Sequence, residues 1–262
     1  MQRANPYAKA TTAQHWSARL GWAAASIGGF LILWEVVAVV LQNRYLPPPT
    51  AVFAAMARET ASGQLIYHVA ITLSRVAIAF AVAMFIGSSI GLLMGRYKRA
   101  DQFFDTWLIL FLNLPALVII ILCYVWFGRT EVAAITAVAI NKIPNVAVTV
   151  REGARGLSRD LAEMAHMYRF SWMRTLRHVT LPQLAPFFLA SARTGLSLVW
   201  KIVLVVELLG RSNGVGFQLG TYFQLFDVTM ILAYALAFII IVQIIELGIL
   251  QPIAARVNKW RR

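Results

Sequence analysis

The sequence predicts an all-α integral membrane protein with six transmembrane helices. Three observations carry that expectation. Of 262 residues, 60% are hydrophobic and only 13% are charged, about half of the roughly 25% charge usual in a soluble domain. The apolar residues gather in long runs that scarcely carry a charge, which makes lipid the solvent for most of the chain. The cations between those runs fall mostly into alternate segments, as a multispan topology requires. Intrinsic disorder, a collagen-like fibre and a disulfide scaffold are excluded.

The apolar runs are Leu20–Leu41, Val69–Met94, Phe103–Phe127, Val132–Val150, Leu184–Leu209 and Val228–Leu250. Each reaches or approaches the roughly 20 residues that cross hydrocarbon as a helix. The first is too long for the apolar region of a cleavable signal, and no small-residue cleavage site follows it. With the N-terminus in the cytoplasm, sixteen Lys and Arg lie in inside segments, while only Arg44, Arg58, Arg129 and Arg211 lie outside. Arg75, Lys142, Arg193 and Lys201 fall within spans. This asymmetry predicts that both termini are cytoplasmic. It also accounts for the net charge of +13 without a nucleic-acid partner.

The expected organisation is a cytoplasmic segment over 1–19, a first span and an outer surface helix over 20–64, a core domain over 65–250, and a basic tail over 251–262. The stiff YLPPPT turn (Tyr45–Thr50) places Thr50 to cap the surface helix. The glycine-rich GRSNGVGF loop (Gly210–Phe217) follows the fifth span and lacks the Gly-Lys-Ser/Thr of a phosphate loop, so the chain is expected to bind no ATP itself. The tail RVNKWRR reads as an interface anchor.

Catalytic chemistry finds no footing. GSSIG (Gly87–Gly91) has the spacing of a serine-hydrolase elbow, but it sits inside the second span and extends to Gly95. A glycine at every fourth position instead lets two helix backbones approach closely. His15, His68, His166 and His178 form no metal-ligand spacing. Cys123, the lone cysteine, is expected in the core.

The long segment between spans four and five is polar and helical in pattern. Ser158 is placed to cap a first helix, with Leu161, Met164, Ala165 and Tyr168 or Met167 on one face. Ser171 is placed to cap a second short helix that ends before Pro182. Two short cytoplasmic helices with an apolar face suit a docking surface for a soluble partner, or equally a basic loop on the membrane surface.

In this segment the chain resembles the permease subunits of binding-protein-dependent ABC importers. Their hallmark EAA loop is matched by Glu163-Met164-Ala165, then Val179-Thr180-Leu181-Pro182, then Pro186. The YLPPPTAV turn, the Gly87/Gly91/Gly95 stripe, Ala192-Arg193-Thr194-Gly195 with Trp200, Glu207-Leu208, Gly214-Val215-Gly216-Phe217 and the region of Glu246 are similar to the nitrate/sulfonate/taurine/bicarbonate branch. Two departures stand out: Arg169 replaces the glycine of the EAA motif, and Met164 its first alanine.

The resemblance implies a type I importer fold in a bacterial inner membrane, with two permease copies (a homodimer), two ATP-binding subunits that hold ATP and Mg, and a periplasmic solute-binding protein. The chain itself would carry no cofactor and catalyse nothing. Leu161, Glu163, Met164, Ala165, Tyr168, Arg169, Leu181 and Pro182 would then couple it to the ATPase.

The in-span charges complete the candidates. Arg193, Trp200 and Glu207 are spaced by seven and stay within roughly 40° of one another on a helix. They either hold helices together or line a pathway. Lys142 lies about ten residues into span four, roughly 15 Å deep, where a cation costs about 2.5–3.5 kcal/mol. Lys142 and Lys201 either pair with Glu207 or Glu246, or form a cationic pathway for a small anion. An uncharged or cationic solute fits the first alternative; a secondary transporter is the remaining transport class.

Overall fold

The computed structural model describes residues 7–252; residues 1–6 and most of the basic tail lie outside the described residues. Every regular element among them is helical: α1 (Tyr7–Leu41), α2 (Pro49–Ala61), α3 (Gln64–Arg96), α4 (Lys98–Asn113), α5 (Ala116–Phe127), α6 (Glu131–Arg155), α7 (Arg159–Met167), α8 (Trp172–Thr175), α9 (Leu181–Gly210), α10 (Val215–Gln224) and α11 (Val228–Ile245). π-helical turns over Leu176–Thr180 and Glu246–Leu250 follow α8 and α11.

Among the described residues, four stretches are long and apolar enough to span a bilayer by themselves: Gln64–Arg96, Glu131–Arg155, Trp172–Gly210 and Val228–Gly248. The third expected span is not one straight helix. It divides into α4 and α5, which meet at 98°. Pro115 explains the break, because it offers no backbone N–H and drives the preceding Leu114 (ψ 128°) out of helical conformation. The first expected span is the distal part of a longer helix, with its apolar stretch at Ala25–Leu41. No proline interrupts the polar residues before it, so the helix begins earlier than hydropathy alone suggests.

The core is built on α3, α6 and α9. The glycine stripe of α3 faces α6, and a Cβ at Gly87 would stand 2.7 Å from the Cβ of Val146. Gly91 meets the Ala147 carbonyl and Val150, and Gly95 meets Ala154. On its other side α6 receives the Phe187 ring of α9 against Gly153. Backbones this close leave no room for an elbow or a catalytic serine, so GSSIG is a packing motif. Cys123 is buried in the same core as Ala134, Val199 and Tyr234.

Thr50 does not cap α2. That helix starts two residues earlier than such a cap would allow, at Pro49 with Pro48 as its N-cap, and Glu35 of α1 holds its first turn by accepting from the Thr50 N–H (3.2 Å) and hydroxyl (2.9 Å). Glu35 is therefore a capping carboxylate, placed where a helix N-terminus favours negative charge.

Candidate functional site

The segment between α6 and α9 forms a short helical arm. Ser158 starts α7, its hydroxyl accepting from the Leu161 N–H at 3.4 Å, while its own N–H donates to the Gln183 side chain at 3.0 Å. Gln183 in turn donates to the Val179 carbonyl at 2.9 Å. One side chain thus ties the start of the arm to the first turns of α9. Ala165 is buried, whereas Leu161, Glu163, Met164, Met167 and Tyr168 are exposed. The residues expected together on one apolar face divide: Ala165 turns into the protein, and the large side chains of Leu161, Met164, Met167 and Tyr168 are uncovered.

Helix α7 ends in a tight reversal at the position where the motif carries glycine. Arg169 has φ +50°, its N–H donates to His166 (3.0 Å), and the Phe170 N–H reaches back to Ala165 (2.9 Å). This pair of bonds is the Schellman arrangement, which needs a left-handed residue after the C-cap. The turn survives the loss of glycine, at a conformational cost of about 1–2 kcal/mol. The Arg174 guanidinium stacks over Phe170, 5.5 Å from the ring centre.

The second short helix does not stop before Pro182. The Ser171 hydroxyl accepts from Arg174 at 3.4 Å to open α8 as expected. The chain then passes through the π-helical turn straight into α9, with Leu181 and Pro182 in its first turn. Proline is tolerated there because the turn before it is π-helical: the Leu181 N–H bonds back five residues to the Leu176 carbonyl, which widens the ladder where Pro182 has no N–H to offer. The arm and span five are one continuous helical stretch from Trp172 to Gly210.

At the opposite end, α3, α6, α9 and α10 converge on a buried charged cluster. Arg75 donates to both oxygens of Glu131 (2.6 and 2.8 Å), to Glu207 (2.6 Å) and to the Asn213 carbonyl (2.8 Å). Arg211 also pairs with Glu131. The first N–H groups of α10 are held entirely by side chains from other helices. Gly214 donates to His68 Nδ1 (3.0 Å), Val215 to the Thr72 hydroxyl (2.8 Å) and Gly216 to Glu207 (2.9 Å). Thr72 donates its proton to the same carboxylate at 2.9 Å. Gly214 has φ +108°, and the Glu207 carboxylate fills the space a side chain would need. Glu207 therefore pairs with Arg75, not with either lysine. His68, Thr72 and Arg75 recur at helical spacing along one face of α3, a signal that hydropathy alone passes over.

The remaining in-span candidates separate into two environments. Trp200 is buried against Phe238, edge to face at 5.8 Å. Arg193 and Lys201 are exposed on α9. Lys201 shares a cavity of about 270 Å³ with Ser197, Gln243 and Glu246, yet no ion pair closes there among the described residues. Lys142 is 2% exposed and enters no ion pair among them. Its side chain crosses from α6 onto α9 at Gly195, where a Cβ would collide with Cε and Nζ.

Residues 83–255 match the family described as the binding-protein-dependent transport system inner membrane component. The chain is 27% identical to the putative aliphatic sulfonates transport permease protein SsuC of Bacillus subtilis (strain 168), over 93% of this chain and 89% of that one. It is 30% identical to the protein of the same description from Escherichia coli (strain K12), over 72% and 73% respectively. Permeases named for taurine (Escherichia coli) and bicarbonate (Synechococcus elongatus) transport also match. Among solved structures, an inward-facing MetNI methionine ABC transporter chain aligns with a TM-score of 0.65 at 18% identity, covering 76% of this chain and 98% of that one. That likeness is one of fold. With two thirds of its length under the family model, the chain belongs to the inner membrane components of binding-protein-dependent transport systems.

Proposed function

We propose that two copies of this chain form the solute pathway of an ATP-driven importer, and that the 158–182 arm couples them to two separate ATP-binding subunits. In this reading the chain is not catalytic and binds neither ATP nor Mg; both belong to the partner ATPase. A periplasmic binding protein delivers solute at the end holding the Arg75 cluster, and both termini face the cytoplasm.

The observation that carries the reading is the continuity of the arm with span five. Leu161, Met164, Met167 and Tyr168 present an uncovered apolar patch. The arm behind them reaches α9 through two routes, the Ser158–Gln183 hydrogen bond and the uninterrupted helix from Trp172. A displacement of the patch by a closing ATPase is thereby passed to α9 with little slack. On α9 stand Arg193, Trp200, Lys201 and Glu207. The buried Lys142, packed on the same helix, supports a small anion as solute, since a fixed ammonium offsets part of an anion's dehydration cost. The names of the sulfonate, taurine and bicarbonate relatives point the same way.

The test is reconstitution with the ATP-binding subunits and the receptor. Loaded receptor should stimulate ATP hydrolysis, and solute should accumulate only when ATP is present. Uptake driven by an ion gradient without those subunits would overturn the proposal.

A further inference from the structure

At the end of the molecule that carries the 158–182 arm, a groove of about 530 Å³ opens between α3, the end of α6 and the segment leading into α9. Ser89, Leu92, Leu93 and Arg96 line it from α3. Their spacing makes one stripe of that helix, about 10 Å long. Trp172, Leu176 and Thr180, each four residues apart, supply the facing wall. The two walls run in opposite directions along the chain: α3 ends at Arg96 as it leaves the apolar span, and α9 enters its span beyond Thr180. Arg96, Tyr97 and Trp172 therefore stand at the rim, with Leu93, Leu92 and Ser89 progressively deeper.

The lining carries one sign of charge, with Leu92, Leu93 and Leu176 lying between Arg96 and the hydroxyls of Ser89 and Thr180. No carboxylate lines the groove, and Arg96 takes part in no ion pair among the described residues. Tyr97 and Trp172 are each more than half exposed, the placement of aromatic rings that sit at the level of lipid headgroups. A soluble anion would satisfy Arg96 and leave the leucine floor wet; an apolar ligand would do the reverse.

We propose that this groove binds an acidic phospholipid, with its phosphate at Arg96 between Tyr97 and Trp172 and an acyl chain along Leu93, Leu92 and Leu176. The bound lipid would lie against the wall that joins the arm to span five.

The test is retention of lipid by the chain, purified with its ATP-binding subunits or alone if none copurifies, so that the result stands apart from the transport reading. The protein is taken from nanodiscs of mixed phosphatidylglycerol and phosphatidylcholine and its bound lipid is counted by native mass spectrometry. Wild type should keep phosphatidylglycerol in preference. Arg96→Gln should weaken that retention about fivefold, the effect of one basic group near an anionic headgroup. Leu93→Trp, which fills the floor and leaves the cation, should lower retention of both lipids, while Arg99→Gln, outside the groove, should change neither. Wild-type retention by both Arg96→Gln and Leu93→Trp would overturn the proposal. So would a photo-cross-linker at position 93 that captures a second copy of the chain in place of lipid.

Discussion

Arg75 and Glu207 form an ion pair at 2.6 Å with 4% and 0% of their side chains exposed. The pair is not isolated, because the same carboxylate closes the N-terminus of α10 and the same guanidinium reaches Glu131 at the start of α6. Four helices are thus referenced to one point. A buried pair contributes little net stability against an apolar replacement, but removing one partner leaves an uncompensated charge. Arg75→Met should therefore destabilise the protein by about 3–5 kcal/mol. Glu131→Gln should cost less, since Glu131 is half exposed and its loss leaves Arg75 paired with Glu207. Thermal unfolding in detergent checks the order; equal melting of the two variants would count against it.

The Gly195–Lys142 contact gives a second test. Gly195→Ala inserts a methyl group where the far end of the lysine lies; because that flexible end can turn aside, the cost should fall at about 1 kcal/mol, the low end for overpacking. Lys142→Ala in the same chain should recover most of that loss. Transport should respond differently. Lys142→Met preserves most of the volume and removes the charge, so it should cut anion uptake while assembly and basal ATPase survive. Wild-type uptake by Lys142→Met would remove the lysine from the pathway.

Most of the fold was legible in the sequence because hydropathy and cation placement report lipid contact directly. The glycine stripe was readable for the same kind of reason: only close backbone approach explains a glycine every fourth residue in a span. The charged cluster was not. Arg75 stood out as an in-span cation, but its partners lie 56 and 132 residues away, and nothing local distinguishes Glu207–Arg75 from Glu207–Lys201. The break at Leu114–Pro115 lies inside a run that Asp105 and Asn113 interrupt only singly, where the hydropathy of both arms outweighs a single proline. The extension of the second short helix through Pro182 is not legible either, because proline reads as a stop and nothing local announces the π-helical turn that accommodates it.

Arg169 offers a gain-of-stability test. Its φ of +50° lies in the region that favours glycine, so Arg169→Gly should relieve the strain and stabilise the arm by about 1 kcal/mol. Arg169→Val, β-branched, should weaken it. Hydrogen exchange at Phe170, whose N–H closes the turn, should slow in the first variant and quicken in the second. Faster exchange in Arg169→Gly would mean that the arginine side chain contributes more than its backbone costs.

Orientation is open to a direct chemical test. Single cysteines at Arg58 and Ser212 should react with a membrane-impermeant maleimide in intact cells, and one at Arg159 should not. Cys123 is buried and gives no competing signal. Labelling at Arg159 would invert the molecule and move the arm away from any cytoplasmic ATPase.

Coupling is tested on the arm itself. Glu163 is exposed beside the apolar patch, so Glu163→Lys changes the docking surface without disturbing the fold of α7. Ala165 is different: it is buried within this chain at 2% exposure. Ala165→Asp places an unpaired charge inside the turn that anchors the arm, at a cost of several kcal/mol. The two variants should therefore fail in distinct ways. Glu163→Lys should keep a normal melting temperature and lose copurification with the ATP-binding subunits, or keep copurification and lose receptor-stimulated ATPase activity. Ala165→Asp should also loosen the arm, seen as faster exchange of the Arg169 and Phe170 amides, while the spans remain inserted. If both variants copurify normally and retain receptor-stimulated hydrolysis, force does not pass through α7, and the route from the ATPase to span five has to enter elsewhere along Trp172–Thr180.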